Sequence, residues 1–69
     1  MKLTEQEKRV LRICNEEPGS SIAIAKALYL PICEVEKILA KLCSHDLMYF
    51  IKEIKGGLWS TTLLGSQTL

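Results

Sequence analysis

Two neighbouring stretches of the chain carry apolar residues at helical spacing, separated by a short break. The first stripe falls at i, i+1 and i+4, which is typical of one face of a short helix, and consists of Ile24, Ala25 and Leu28. The second stripe is longer, has the same periodicity, and consists of Val35, Ile38, Leu39 and Leu42. The pattern therefore predicts two helices joined by a tight turn, with the small Ala25 allowing their close approach.

A further helix is predicted at the start of the chain. Thr4 and Glu7 have the spacing of a capping box, in which each side chain binds the backbone N–H of the other. Pro18-Gly19 should end this helix near Glu17. Its inward face is predicted to contain Leu3, Val10, Leu11 and Cys14.

The ends of the second and third helices are also marked. Either serine of the pair 20–21 is a suitable N-cap, so the start of helix two is open by one residue. Helix two should end at 28 or 29, and Pro31 fits the first position of a third helix over 31–44. Asp46 tolerates the left-handed conformation that closes such a helix.

The second half of the chain changes to strand-like residues. Runs rich in aromatic and β-branched residues predict strands near 47–54 and 58–64, and Gly56-Gly57 between them predicts a hairpin turn. The aromatic strand residues Tyr49 and Trp59 are expected to pack on the helices in preference to stacking on a partner. The fold class is mainly α with a small β-hairpin (α+β), in the order α-α-α-β-β. Residues 1–64 should form one domain and residues 65–69 a flexible C-terminal tail.

Composition and charge limit the function classes. The chain has 69 residues, 48% of them apolar and 25% charged, as expected of one small globular domain. No apolar run is long enough to span a bilayer, and the charged N-terminus does not resemble a secretory signal, so no membrane role and a cytoplasmic location are expected. Nine Lys and Arg against eight Asp and Glu give a net charge of +1, which is low for a nucleic-acid binder.

Residues for catalysis or metal binding are sparse. The three cysteines are widely spaced with no C-x-x-C pair, so no disulfide framework or zinc site is predicted. The single His45 is better explained as a helix-end residue than as a catalytic base. We therefore expect neither an enzyme nor a bound cofactor.

The order of elements resembles a winged helix-turn-helix domain of the kind found in small bacterial or phage transcriptional regulators. Leu47-Met48 is similar to the Gly-Leu-Val junction of such regulators, and the hairpin over 52–62 is similar to their wing. Tyr29 and Asp46 depart from the pattern, because glycine is usual at both positions. The apolar positions that match the helix-turn-helix are Ile24, Ala25, Leu28, Leu30, Val35 and Ile38.

This resemblance implies sequence-specific binding of double-stranded DNA, with helix 31–44 in the major groove and the wing over 52–58 on the backbone. It also makes a homodimer the expected assembly, since a dimer matches a two-fold operator. The candidate DNA-binding residues are Lys26, Ile32, Cys33, Glu36, Lys37, Ala40, Lys41, Lys52 and Lys55.

A second function stays open from the sequence. The weak basic balance also fits a winged-helix module that binds another protein without significant DNA affinity. Five lysines gathered on one face favour DNA, whereas Glu34, Glu36 and an apolar patch on that face favour a protein partner. An exposed Ile54 at the turn of the hairpin also favours a protein partner.

Overall fold

The computed structural model describes residues 2–69, so that Met1 of the predicted domain lies outside the described part. Within that part, the chain forms four helices and one two-stranded antiparallel sheet. In chain order, the elements are α1 (Glu5–Glu16), α2 (Ser21–Leu28), α3 (Ile32–Ser44), β1 (Met48–Ile51), β2 (Leu58–Thr61) and α4 (Leu63–Thr68). The predicted three helices and hairpin are confirmed, with one more helix at the end.

Helix α1 begins with the predicted capping box. The Thr4 N–H donates to Glu7 Oε1 at 2.8 Å, and the Glu7 N–H donates to Thr4 Oγ1 at 3.2 Å. The helix ends at Glu16, one residue before the predicted limit, and its Val10 and Leu11 side chains are fully buried. The cap thus sets the start of the helix, and its apolar stripe orients it on the core.

Helix α2 ends in a left-handed turn at Tyr29. Ser20 is the N-cap, accepting from the Ala23 N–H at 3.1 Å, and this resolves the choice between the two serines. Tyr29 has φ 57° and ψ 42°, and its N–H, like that of Leu30, donates to the Ala25 carbonyl oxygen. This conformation costs a non-glycine residue about 1 kcal/mol, and the two hydrogen bonds offset that cost by closing the helix end.

Pro31 is the N-cap of α3 rather than its first residue, a shift of one position from the prediction. The other end of the helix follows the prediction: Asp46 has φ 60° and takes the position where glycine is usual. The N–H of Leu47 donates to the Leu42 carbonyl and that of Asp46 to the Cys43 carbonyl, both at 3.0 Å. This pair of bonds is a Schellman motif, and it directs the chain from α3 into the sheet.

The hairpin is shorter than predicted. Its strands cover four residues each, with Met48 opposite Thr61 and Ile51 opposite Leu58, so the predicted ranges 47–54 and 58–64 were too long. Residues 52–57 form the turn region instead. Within it, the Gly57 N–H donates to the Ile54 carbonyl at 2.7 Å and closes the last part of the turn.

Both turn glycines have positive φ, as predicted, with 83° at Gly56 and 74° at Gly57. Gly57 is also covered by the Phe50 ring, so that an added Cβ would overlap this ring. Phe50 in turn lies 5.0 Å from the Trp59 ring, centroid to centroid. The turn and the rings on the sheet therefore form one packed unit.

The two strand aromatics differ in burial. Trp59 packs against the core, as predicted, whereas Tyr49 is 47% exposed, so its predicted burial was wrong. Strand alternation explains the difference, because Tyr49 follows the buried Met48 and points to the opposite side of the sheet. Trp59 also exchanges two backbone hydrogen bonds with Gly19, at 2.8 and 3.2 Å, which ties the segment before α2 to β2.

The core lies between the first three helices and the beginning of β1. Its buried apolar members are Leu3, Val10, Leu11, Cys14, Ile24, Ala25, Val35, Ile38, Leu39, Leu42, Leu47 and Met48. All four members of the predicted α3 stripe are among them, which confirms the periodicity.

The flexible tail predicted for 65–69 is wrong for most of its length, since α4 covers Leu63–Thr68. Thr62 caps this helix by accepting from the Gly65 N–H at 3.0 Å, and its own hydroxyl donates to the Asp46 carbonyl at 2.6 Å. Gly65 is buried against the Leu47 carbonyl, where a Cβ would overlap the oxygen. The missing side chain therefore allows the helix to dock.

None of the helices within residues 2–69 has the length and apolar character needed to cross a lipid bilayer.

Candidate nucleic-acid interface

Helix α3 presents a continuous exposed stripe opposite its buried face. Successive residues of an α-helix are rotated by about 100°, so positions separated by three, four or seven share a face. Burial of Val35 and Leu39 against the core consequently turns the opposite side of the helix to solvent. This outward stripe, all of it exposed, consists of Cys33, Lys37, Ala40 and Ser44.

Lys37 is the cation at the centre of the outward stripe. Its side chain is exposed, and it takes part in neither of the two ion pairs between described residues. Cys33 and Ala40 beside it are small and leave space around the ammonium group. The stripe is therefore a narrow surface of low relief with one positive charge.

The remaining predicted residues of α3 lie on its flanks. Ile32, 43% exposed, and Glu36 fall on one side of the outward stripe, whereas Glu34 and Lys41 fall on the other. The predicted outward set thus divides into a central stripe and two edges.

Lys41 forms an ion pair with helix α1. Its Nζ lies 2.7 Å from Glu7 Oε2, and while the Lys41 side chain is about half exposed, that of Glu7 is buried. The hydrogen bond from Lys41 holds the pKa of the Glu7 carboxyl below its usual value, and the hydrogen bond from the Thr4 N–H lowers it further. Burial acts in the opposite direction but is outweighed. Much of the Lys41 charge is consequently balanced within the protein.

The other three predicted lysines lie away from α3. Lys26 is exposed in the last turn of α2, and Lys52 and Lys55 are exposed in the turn region of the hairpin. Ile54 lies between these two and is 45% exposed, so this turn presents apolar as well as basic surface. The predicted residues therefore occupy α2, α3 and the wing, with Lys41 drawn towards α1.

The cysteines differ in environment. Burial raises the pKa of the Cys14 thiol to about 11, so it is a packing residue of low reactivity. Cys33 and Cys43 are exposed on α3. Within residues 2–69, no three or more His, Cys, Asp or Glu residues are grouped so that they would hold a metal ion.

Three features of this region escaped sequence reasoning. The Glu7–Lys41 pair joins two helices, and its residues are too far apart in the chain for any helical spacing to reveal it. Ser44 completes the outward stripe but was not among the candidates. Tyr29 stands where glycine is usual, yet the left-handed turn is retained and the side chain is 94% exposed.

The sequence matches no protein-family model and no curated protein. Solved structures do match. Wild-type ZitR of Lactococcus lactis superposes with a TM-score of 0.89 at 27% identity, covering 97% of this chain and 46% of that chain. The same protein solved in complex with DNA superposes with a TM-score of 0.82 at 28% identity, covering 90% of this chain and 44% of that chain.

Another structure of ZitR is described as a zinc-responsive MarR family member, and it matches with a TM-score of 0.88 at 26% identity. The transcriptional regulator BldR of Sulfolobus solfataricus superposes with a TM-score of 0.91 over 99% of this chain, and its 22% identity supports the fold alone. The chain spans about half the length of these solved chains. The fold of this chain is that of a winged helix-turn-helix domain, as the sequence predicted.

Proposed function

We propose that this winged helix-turn-helix domain binds double-stranded DNA as the DNA-binding part of a transcriptional regulator. The observation that carries the proposal is the match of 90% of the chain to ZitR solved in complex with DNA. The exposed stripe of α3 supports it, because a second helix held outward by a helix-turn-helix is the element that enters the major groove.

In this arrangement, Lys37 reaches into the groove, where a lysine binds guanine edges or the adjacent phosphates. Glu36 at the edge of the stripe is placed to accept a hydrogen bond from a cytosine amino group. Cys33 and Ile32 offer apolar contact for thymine methyl groups. These residues are few, so sequence specificity rests on a small number of base contacts.

Phosphate contacts come from the elements beside α3. Lys26 on α2 and Lys52 and Lys55 in the wing over 52–58 are exposed cations of the kind that neutralise phosphates. With so few charges, one domain binds weakly, and because its attraction to DNA is largely ionic, its affinity falls as salt is added. A homodimer doubles the contacts and matches an operator with two-fold symmetry, and we propose this assembly.

The domain acts in this proposal by occupying DNA rather than by catalysing a reaction. A protein-binding module without DNA affinity is the competing function, and the half-exposed Ile54 in the wing is the feature that agrees with it.

Titration of a labelled duplex with the wild type and with Lys37→Glu tests the proposal. The probes are a mixed-sequence duplex about three helical turns long and duplexes selected from a random pool by the wild-type protein. We expect Lys37→Glu to abolish binding at moderate salt, and wild-type affinity to fall by orders of magnitude between about 50 and 200 mM salt.

Lys2→Glu is the matched control, because it makes the same charge change at an exposed residue before α1. It should retain most of the affinity. Equal losses in both variants would mean that net charge, rather than α3, determines binding. Absence of any binding by the wild type at low salt would reject the DNA-binding function, and sedimentation of the wild type alone would test the dimer.

A further inference from the structure

The turn between α2 and α3 carries a large side chain that the fold itself does not use. Tyr29 is 94% exposed, more than any other large apolar or aromatic residue described. Its hydroxyl takes part in none of the side-chain hydrogen bonds between described residues, and its ring is not in the described aromatic pair. Among the described residues, the side chain therefore has neither a hydrogen-bond partner nor an aromatic partner, and nearly all of it lies in solvent.

The backbone at this position is left-handed, a conformation that tyrosine adopts only with strain. Tyr29 is left-handed because its N–H and that of Leu30 must both reach the Ala25 carbonyl to close α2. Glycine adopts this conformation without strain, whereas tyrosine does so only at a cost. The backbone hydrogen bonds that offset this cost would form with glycine as well, so the presence of tyrosine points to a role of its side chain outside the fold.

The position of Tyr29 indicates what it would contact. It lies two residues before Pro31, the N-cap of α3, and α3 is the helix proposed to enter the major groove. When the beginning of a recognition helix enters the groove, the turn before it comes close to the groove edge, where the phosphates lie. Tyrosine hydroxyls are among the neutral donors that bind phosphate oxygens.

We propose that Tyr29 is a DNA-backbone contact, with its hydroxyl donating a hydrogen bond to a phosphate beside α3. This inference rests on the proposed DNA-binding function and adds a residue that fixes the position of α3 on the duplex. A neutral donor positions the helix without adding to the ionic attraction, which suits a chain whose net charge is only +1.

The test compares Tyr29→Phe and Tyr29→Gly with the wild type on the mixed-sequence duplex. Tyr29→Phe removes only the hydroxyl and should weaken binding about tenfold, the equivalent of one hydrogen bond. Tyr29→Gly should weaken binding at least as much, although it relieves the backbone and should leave the melting temperature unchanged or higher. The dependence of affinity on salt should keep its slope in both variants, because tyrosine displaces no counterions.

Tyr49→Phe is the matched control, since it removes a hydroxyl from the half-exposed tyrosine of β1. Its affinity should equal that of the wild type. Wild-type affinity in Tyr29→Phe and Tyr29→Gly would overturn the inference while leaving the DNA-binding function intact. An equal loss in Tyr49→Phe would also overturn it, because the effect would not belong to the turn. A wild type that does not bind the duplex rejects the DNA-binding function itself.

Discussion

The two faces of α3 have opposite relations to the rest of the molecule. On the inner face, Val35, Leu39 and Leu42 are fully buried, and at its margin Lys41 is paired with Glu7. On the outer face, Cys33 and Lys37 are exposed and make no described ion pair. Changes on the inner face should therefore alter stability, whereas changes on the outer face should alter only what the helix binds.

The largest effect on stability is expected from truncation of the inner face. Leu39→Ala leaves a cavity in the core and should lower the free energy of unfolding by about 2–5 kcal/mol. Denaturant unfolding measures this loss. Ile32→Ala, which shortens a half-exposed residue of the same helix, is the control and should cost clearly less; equal losses would mean that α3 is not held by its inner face.

Overpacking the junction between α2 and α3 should have the next largest effect. Ala25 is buried where the two helices meet, and Ala25→Leu forces extra volume into that contact, at about 1–3 kcal/mol. The melting temperature reports the change. Ala27→Leu, on the exposed side of α2, should melt like the wild type, and a wild-type melting temperature for Ala25→Leu would show that the helices do not meet closely there.

Loss of the Glu7 charge should have a smaller and pH-dependent effect. The pKa of Glu7 is lowered in the folded state. Its carboxylate therefore stabilises the fold at pH values above the usual pKa of about 4.5. This contribution is lost as the pH falls through the lower, folded pKa. Glu7→Gln should cost about 1 kcal/mol at neutral pH and should flatten the decline in stability on acidification.

Urea unfolding at several pH values between neutrality and about pH 3 measures this decline. Glu16→Gln, an exposed glutamate at the end of the same helix, should leave the decline as steep as in the wild type. An unchanged pH profile in Glu7→Gln would show that the pair with Lys41 does not form in solution.

Lys37→Glu should change stability least, by no more than about 0.5 kcal/mol, since its side chain lies in solvent on the outer face. The comparison of unfolding free energy with DNA affinity is the informative measurement. A loss of affinity accompanied by a comparable loss of stability would contradict the division between the two faces.

Much of the fold was predictable because local chemistry specifies it. The capping box at Thr4, the left-handed Asp46 and the glycine pair of the wing are short-range signals, and each marks an element boundary within a residue or two. The apolar stripe of α3 determined its buried face. The candidate site could be predicted only as exposed positions on that helix, since periodicity shows direction but not partners.

The parts that escaped prediction depend on contacts between distant segments. Helix α4 has six residues and includes a glycine, so its sequence carries no helical periodicity; it forms because Gly65 allows close approach to Leu47. The ion pair between Lys41 and Glu7 likewise depends on where α1 lies. Exposure of Tyr29 followed from a turn closed by backbone bonds alone.

The bridge between Gly19 and Trp59 has a consequence for self-association. Backbone groups of a strand point alternately to its two sides, so Trp59 and Thr61 face away from β1. Gly19 already occupies the groups of Trp59. Too few neighbouring backbone N–H and C=O groups remain unpaired along this edge for another chain to add a strand. Strand β2 is therefore protected from the edge-to-edge aggregation to which a bare hairpin is prone.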